Sequence, residues 1–345
     1  SSASSLPSGV TLVNNGDGTA TLSGTPANGE GGEYTLTIGA SNGILPAASQ
    51  TFTLTVNEAP EFTNPDNVTF TVGAAGSILI STNGYPATPM AISLTGGTLP
   101  VSMNLVDNGD GTATLSGTPA DGEGGVYNLT FGASYGVAPD ASQSFTLTIT
   151  EAPEITSADN TTFTVGAAGS FTITTDGYPV AAISSASSLP SGVTLVNNGD
   201  GTATLSGTPA NGEGGVYILT IGAANGIAPN ASQTFTLTVD EAPEITSSNA
   251  TTFTVNGYGD FTITTDGYPA TPMAISLTGG TLPSGVTLVD NADGTATLSG
   301  TPANGEGGEY ILTFGASNGI APNASQTFTL TVTEAPEFTS ADNTT

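Results

Sequence analysis

Lysine, arginine, histidine, cysteine and tryptophan are all absent from this chain of 345 residues. Each absence excludes some chemistry. Phosphate backbones are gripped by cations, so nucleic acid is excluded as a partner. An anionic membrane surface is disfavoured for the same reason. Nucleophile–His–acid and Ser–Lys constellations cannot be assembled, and Lys–Asn isopeptide cross-links are ruled out. Zinc lacks its usual His and Cys ligands. Without cysteine there are no disulfides, which removes the usual sign of an oxidising compartment without excluding one. No apolar run reaches the roughly 18 residues of a membrane span, and no signal-peptide pattern lies within these residues. Charge of one sign dominates: 29 acidic residues give a net charge of -29. Such a chain resists aggregation and attracts cations. Cohesion has to come from apolar burial, hydrogen bonds and any bound metal ion.

What is present is repetition. Gly-Thr-Ala-Thr-Leu-Ser-Gly-Thr-Pro-Ala begins at Gly18, Gly111, Gly201 and Gly294, at spacings of 93, 90 and 93 residues. Glu-Ala-Pro-Glu begins at Glu58, Glu151, Glu241 and Glu334 with the same three spacings. A fixed period makes the chain an array of one unit. The period divides it into a partial unit 1–57 holding only C-terminal strands, complete units 58–150, 151–240 and 241–333, and a first strand of a further repeat at 334–345. Long and short units alternate, because 58–150 and 241–333 carry a longer Tyr-Pro-Ala-Thr-Pro-Met segment. Residues 1–32 repeat 184–215 letter for letter. Units this alike have not given one of their number a private active site.

Unit 151–240 alternates apolar and polar residues with period two, the pattern of half-buried strands. Strands are expected at 162–165, 170–174, 180–185, 193–197, 202–206, 216–223 and 233–239. Phe163, Val165, Phe171, Ile173, Leu219, Ile221, Phe235, Leu237 and Val239 then face inward, with threonines outward. Asn198-Gly-Asp-Gly201 is a hairpin signal, and Asp176-Gly-Tyr-Pro179 reads as a turn. Seven short strands with turns about every 8–12 residues and no helical period indicate an immunoglobulin-like β-sandwich. Tyr217, with its equivalents Tyr34, Tyr127 and Tyr310, follows the long glycine corner. A sandwich places a corner tyrosine there; a sugar-stacking role is the alternative. No Gly/Ser linker separates Val239 from Glu241, so a stiff rod is expected.

The run Leu-Pro-Ser-Gly-Val-Thr-Leu, Gly-Thr-Ala-Thr-Leu-Ser-Gly-Thr-Pro-Ala, Tyr-Ile-Leu-Thr-Ile-Gly-Ala, Gln-Thr-Phe-Thr-Leu-Thr-Val resembles the immunoglobulin-like, cadherin-like repeat of large bacterial and archaeal surface proteins. The resemblance covers every complete unit. It implies an all-β chain of tandem seven-stranded immunoglobulin-like (cadherin-like) sandwiches in a linear array, serving as spacer or adhesive modules on secreted or cell-surface proteins. Cadherin-type relatives bind calcium between domains. Their linkers are rich in Asp and Asn, whereas the linker here is Glu-Ala-Pro-Glu.

Sandwich topology brings the fifth-to-sixth corner of one unit beside the second-to-third turn of the next. That gathers Glu213, Glu241, Glu244 and Asp266, with Asp293 further out. The equivalent sets are Glu123, Glu151, Glu154 and Asp176, and Glu30, Glu58, Glu61 and Asn83. Oxygen-only ligands suit calcium; solvated acidic loops are the alternative. Asp107-Asn-Gly-Asp-Gly111 has two acids close together but reads as a hairpin turn. Gly-Glu-Gly-Gly lacks the lysine of a phosphate-binding loop. Paired carboxylates serve glycoside hydrolysis, yet the same acids recur in each unit with no Trp or Arg to hold a sugar, so no enzyme is expected. Asn-X-Ser/Thr acceptors lie at Asn67, Asn128, Asn160, Asn230, Asn249, Asn323 and Asn343. Tyr135, which replaces an asparagine of other units, is a candidate surface contact.

The expected function is an extracellular or cell-surface stalk or fibre. An adhesin module recognising glycan or protein is the alternative, and an exposed aromatic cluster differing between units would favour it. Residues 1–57 and 334–345 together make one short unit without the counterpart of 163–183. The sequence is therefore expected to be a window on a longer repetitive protein. Strands from preceding chain or from a neighbouring copy would complete residues 1–57. Such head-to-tail contacts do not close, and give a fibre.

Overall fold

The computed structural model describes residues 4–337, so Asn343 and most of the strand expected at 334–345 lie outside the described residues. Among the described residues all regular structure is β. Residues 4–57 hold β1 (Val10–Asn14), β2 (Ala20–Gly24), β3 (Gly32–Ala40) and β4 (Ala48–Val56). The next repeat runs through β5 (Glu58–Phe62), β6 (Asn67–Thr71), β7 (Gly76–Tyr85), β8 (Ala91–Gly96), β9 (Met103–Asp107), β10 (Thr112–Gly117) and β11 (Gly125–Ser134). Then come β12 (Ala141–Ile155), β13 (Asn160–Thr164), β14 (Gly169–Tyr178), β15 (Ala182–Ser185), β16 (Val193–Asn197), β17 (Thr202–Gly207) and β18 (Gly215–Ala224). The chain continues as β19 (Ala231–Ile245), β20 (Ala250–Thr254), β21 (Gly259–Tyr268), β22 (Ala274–Gly279), β23 (Val286–Asp290), β24 (Thr295–Gly300), β25 (Gly308–Ser317) and β26 (Ala324–Thr333).

These strands form two compact units. One runs to Pro153 and takes in Gly177–Pro179 and Asn225–Pro229; the other comprises Glu154–Asp176, Val180–Ala224 and the residues from Asn230 on. In the first unit, the sheet β5-β7-β10-β9 pairs with a second layer in which β6, β12, β11 and β8 are neighbours. In the second, β20-β26-β25-β22 faces a layer holding β21, β24 and β23. One strand in each complete repeat runs parallel to the last: β6 on β12, β13 on β19 from Asn160↔Thr236 to Thr164↔Asp240, and β20 on β26. The other pairings among the described residues are antiparallel. This is the immunoglobulin-like sandwich the period-two pattern implies, with inward residues from both sheets filling each core.

The core of repeat 151–240 is built from Phe163, Ile173, Leu205, Leu219, Ile221, Phe235, Leu237 and Val239, with Phe171 packed against it. Phe171 and Phe235 meet tilted, ring centroids 5.2 Å apart, a favoured aromatic geometry. Full burial of each such side chain stabilises by about 1.5–3 kcal/mol. Residues 4–57 form only the two-stranded pairs β1-β2 and β3-β4. There Phe52 is 38% exposed, whereas its counterparts Phe145, Phe235 and Phe328 are 1%, 0% and 0% exposed. The positions of β4 equivalent to the parallel pairing of β12 with β6 have no such partner among the described residues.

One expectation is corrected. Asp176-Gly-Tyr is not a turn: β14 continues to Tyr178, and the equivalent β21 reaches Tyr268, where it pairs with Glu241. The passage after Val239 is continuous, in keeping with the lack of a Gly/Ser linker there. β19 runs through it as one strand of 15 residues, closing one repeat and opening the next.

Candidate functional site

The joint between repeats 151–240 and 241–333 is made by that strand. Its alternation does not stop at Val239. Phe235, Leu237, Val239, Glu241 and Pro243 all point to the buried side, so even spacing carries a carboxylate to the place a core residue would occupy. Glu241 is 8% exposed. A buried carboxylate needs partners. Here they are backbone amides: Gly212 N–H donates to Oε1 at 2.7 Å and Gly214 N–H to Oε2 at 2.9 Å. Converging backbone N–H groups form an anion-binding concavity, and charge-assisted bonds of this kind are strong.

The corner that presents these amides is built from glycine for two reasons. Glu213 N–H donates to Ala210 O at 3.3 Å, closing a turn whose third residue, Gly212, has φ +82°, the left-handed conformation of a type II turn. Gly214 lies so close to the clamp that a Cβ there would stand 2.5 Å from Glu241 Oε2. The same bonding recurs at Glu58 with Gly29 and Gly31 (2.5 and 3.0 Å), at Glu151 with Gly122 and Gly124 (2.7 and 3.0 Å), and at Glu334 with Gly305 and Gly307 (2.8 and 3.0 Å).

A tyrosine secures each corner. Tyr217 donates its hydroxyl to Glu213 O at 3.0 Å, and lies within 2.7 Å of Glu213 Oε2. Tyr34, Tyr127 and Tyr310 bond Glu30 O, Glu123 O and Glu306 O in the same way. Burial first, and then the Glu213 carboxylate, pushes the Tyr217 hydroxyl up to about 12. From the far side, Asn318 Nδ2 donates to Glu241 O at 2.8 Å and to Pro269 O at 3.3 Å. Asn225 does the same for Glu151 O and Pro179 O. In repeat 58–150 the counterpart is Tyr135, whose hydroxyl donates to Tyr85 O at 2.9 Å and accepts from Tyr85 N–H at 3.2 Å. The hydroxyl expected at the surface as a contact is thus tied to the backbone.

The acids expected to hold calcium divide into two groups. Glu241 gives both oxygens to the glycine corner and Glu213 faces Tyr217. Glu244 and Asp266 stand opposite each other across β19 and β21, both exposed. Glu241, Glu244 and Asp266 line one shallow cavity of about 270 Å³ with Asn211 and Gly212. Among the described residues, however, no group of three or more acidic side chains is arranged to hold a metal ion. Glu58 and Glu30 are engaged in the same way, with Glu61 and Asn83 exposed across from each other. Glu123 instead takes Ser102 N–H, Ser102 Oγ–H and Ala120 N–H, and Glu151 its two glycines, while Glu154 and Asp176 are exposed. Glu241 and Glu213 therefore already have hydrogen-bond donors on their carboxylates, and Glu244 and Asp266 are the exposed acids of the set. The Asn-Gly-Asp-Gly stretch is a hairpin: Asp110 Oδ1 accepts Thr112 N–H at 3.1 Å and Thr112 Oγ–H at 2.6 Å. Asn67, Asn128, Asn160, Asn230, Asn249 and Asn323 are all exposed.

One surface feature stands outside the sequence expectations. Tyr258 is 73% exposed in the turn between β20 and β21, where repeat 151–240 has Gly166-Ala-Ala168 and this repeat has Asn256-Gly-Tyr258. Asn256 takes the left-handed φ of 58° and donates to Asn304 Oδ1 at 2.6 Å. Comparing the repeats position by position would have singled it out.

The sequence model of one family, described as "Putative Ig domain", matches residues 1–57, 59–150, 152–240 and 241–333. Among solved structures, the I-band fragment I67–I69 of titin is 18% identical, with a TM-score of 0.50, covering 82% of this chain and 100% of that one. The human desmocollin-1 ectodomain is 13% identical, with a TM-score of 0.35, covering 90% and 66%. At such identities the titin likeness establishes the fold alone: tandem Ig-like sandwiches. No curated protein matches the chain. No helix among the described residues is long and apolar enough to cross a membrane.

Proposed function

We infer, for a chain that belongs to this Ig-domain family and repeats its domain four times in succession, a structural role as an extracellular stalk or fibre. Tandem Ig-like repeats are structural or binding modules, and the observation that supports the stalk is β19. A single strand of 15 residues leaves one core and enters the next, with Glu241 clamped to the preceding corner and Asn318 holding it from the following repeat. A hinge needs backbone free to rotate, and this joint has little. Tension along the chain also loads the parallel pairing of β13 with β19 in shear, so that its bonds resist together rather than one by one. Electron micrographs of native material test the role. Isolated rods or continuous filaments support it, and flexible strings of beads contradict it.

Head-to-tail association of copies is the assembly proposed for such a fibre. Among the described residues β4 pairs only with β3 and Phe52 is 38% exposed, a surface that strands patterned like β13 and β14 would cover. Denaturing intact mass separates the sources: a mass far above 33.8 kDa indicates one continuous polypeptide, and a mass near it in filamentous material indicates strand exchange. A folded, soluble monomer of that mass contradicts both.

Tyr258 favours a second role, adhesion to a surface glycan or protein. Its exposed ring stands where repeat 151–240 has Ala168, the kind of difference between repeats that a contact site would use. A glycan array probed with the full chain and with Tyr258→Ala tests it; binding that the variant loses supports adhesion, and no binding by either leaves the stalk alone.

A further inference from the structure

In every complete repeat a glutamine of the last strand holds the segment that crosses from one sheet to the other. Gln143 Nε2 donates to Asn64 O at 3.2 Å, Gln233 Nε2 to Ser157 O at 3.2 Å and Gln326 Nε2 to Ser247 O at 3.0 Å. The three sites then differ. Asn64 bridges outward from the crossover: its Nδ2 donates to Gln143 Oε1 at 3.1 Å and to Pro65 O at 2.7 Å, and its Oδ1 accepts Ser81 N–H at 3.2 Å. At the other two sites the residue is serine, too short to make that bridge. Ser157 Oγ and Gln233 Oε1 are both buried without a hydrogen-bond partner, and so are Ser247 Oγ and Gln326 Oε1.

Leaving such atoms unpaired in an interior is costly, and native proteins pair nearly all of them with protein or ordered water. Replacing a carboxamide by a hydroxyl frees about the volume of one water molecule, and the polar lining suits one. Thr174 and Thr264 occupy the register positions of Ser81 in their repeats, opposite Thr202 and Thr295 as Ser81 is opposite Thr112.

We propose that repeats 151–240 and 241–333 each bind one structural water at this crossover. It accepts from Ser157 Oγ–H and donates to Gln233 Oε1, and in the next repeat it accepts from Ser247 Oγ–H and donates to Gln326 Oε1. In repeat 58–150 the Asn64 carboxamide reaches Gln143 directly, by its Nδ2 hydrogen bond. The water lies beside the segment that leads out of each joint, where Thr246 N–H donates to Thr264 O and Thr329 N–H to Asn249 O, each at 2.9 Å. It therefore ties the incoming chain to β19 in one repeat and to β26 in the next.

High-resolution diffraction from the full chain tests this. An ordered water within hydrogen-bond distance of both partners at Ser157 and at Ser247, and none at Asn64, is the expected result. Ser157→Asn should expel the first water alone, and Asn64→Ser should create a third. A direct Ser157–Gln233 hydrogen bond with no water, or a water that persists in Ser157→Asn, overturns the proposal. The comparison of the three native sites decides the matter even where a variant fails to fold.

Discussion

At Gly214 the space for a side chain is already taken. A Cβ would stand 2.5 Å from Glu241 Oε2 and 2.9 Å from Tyr268 Cβ, so Gly214→Ala must push the glutamate off its amides. The expected cost is about 1–3 kcal/mol, as for overpacking elsewhere. Hydrogen exchange of the full chain would reveal it as faster exchange in β18 and β19, with β10 unchanged. Tyr217 makes a second residue-level prediction. Its hydroxyl is held at about 12 against an ordinary 10, so the fold favours the neutral phenol. That contribution is complete below pH 10 and is lost as pH rises towards 12. Tyr34 and Tyr310 are raised too, chiefly by their bonds to Glu30 and Glu306. Absorbance titration should show these tyrosines ionising late, and Tyr217→Phe should delete one late step. On the acid side, the Thr202 hydroxyl and amide hold Asp200 below the usual carboxylate range. The ionised form is favoured, so its small contribution is present above pH 4 or so and lost as pH falls through the lowered value. Thr202→Ala should bring the Asp200 titration back up, as read by carboxyl NMR. The corner tyrosine was legible in the sequence because its place after the glycine corner has one common structural use. The partners of Glu241 were not, because two backbone amides leave no mark in a list of side chains.

The strands themselves were largely legible. Where one face is buried and the other wet, alternation is enough, and β18, β16 and β26 fall where period two puts them. The exceptions lie at the joints. β19 runs past Val239 through Asp240-Glu-Ala-Pro, a composition that ordinarily ends a strand. It survives because both Glu241 oxygens are bonded by the corner amides and because Pro243, whose side chain is buried, needs no hydrogen to donate. β14 and β21 run through Asp-Gly-Tyr for the related reason that the incoming strand supplies the pairing: Glu241 lies opposite Tyr268 and Glu244 opposite Asp266. Continuity is then the property to disturb. A short Gly-Ser insertion between Asp240 and Glu241 should leave both sandwiches folded while separating clamp from corner. Small-angle scattering should broaden towards a hinged particle. Scattering identical to the native chain would mean that the joint does not depend on the continuous strand.

For the whole molecule, charge sets the response to solvent. With a net charge of -29 and no cation in the sequence, repulsion opposes compaction and salt screens it. Melting temperature should therefore rise with sodium chloride. The opposite trend would point to attractive pairs that the composition does not allow. Because the clamp glutamates bond glycine amides, a chelator should leave melting unchanged, and a fall in melting temperature would reveal a cation at the joints. Repeats that transmit tension through stiff joints should show it in single-molecule stretching of the full chain. A series of separate rupture events is expected, each releasing the length of one repeat, with the complete repeats giving way at similar force. A smooth extension without rupture events, or one collective event for all repeats together, would contradict it.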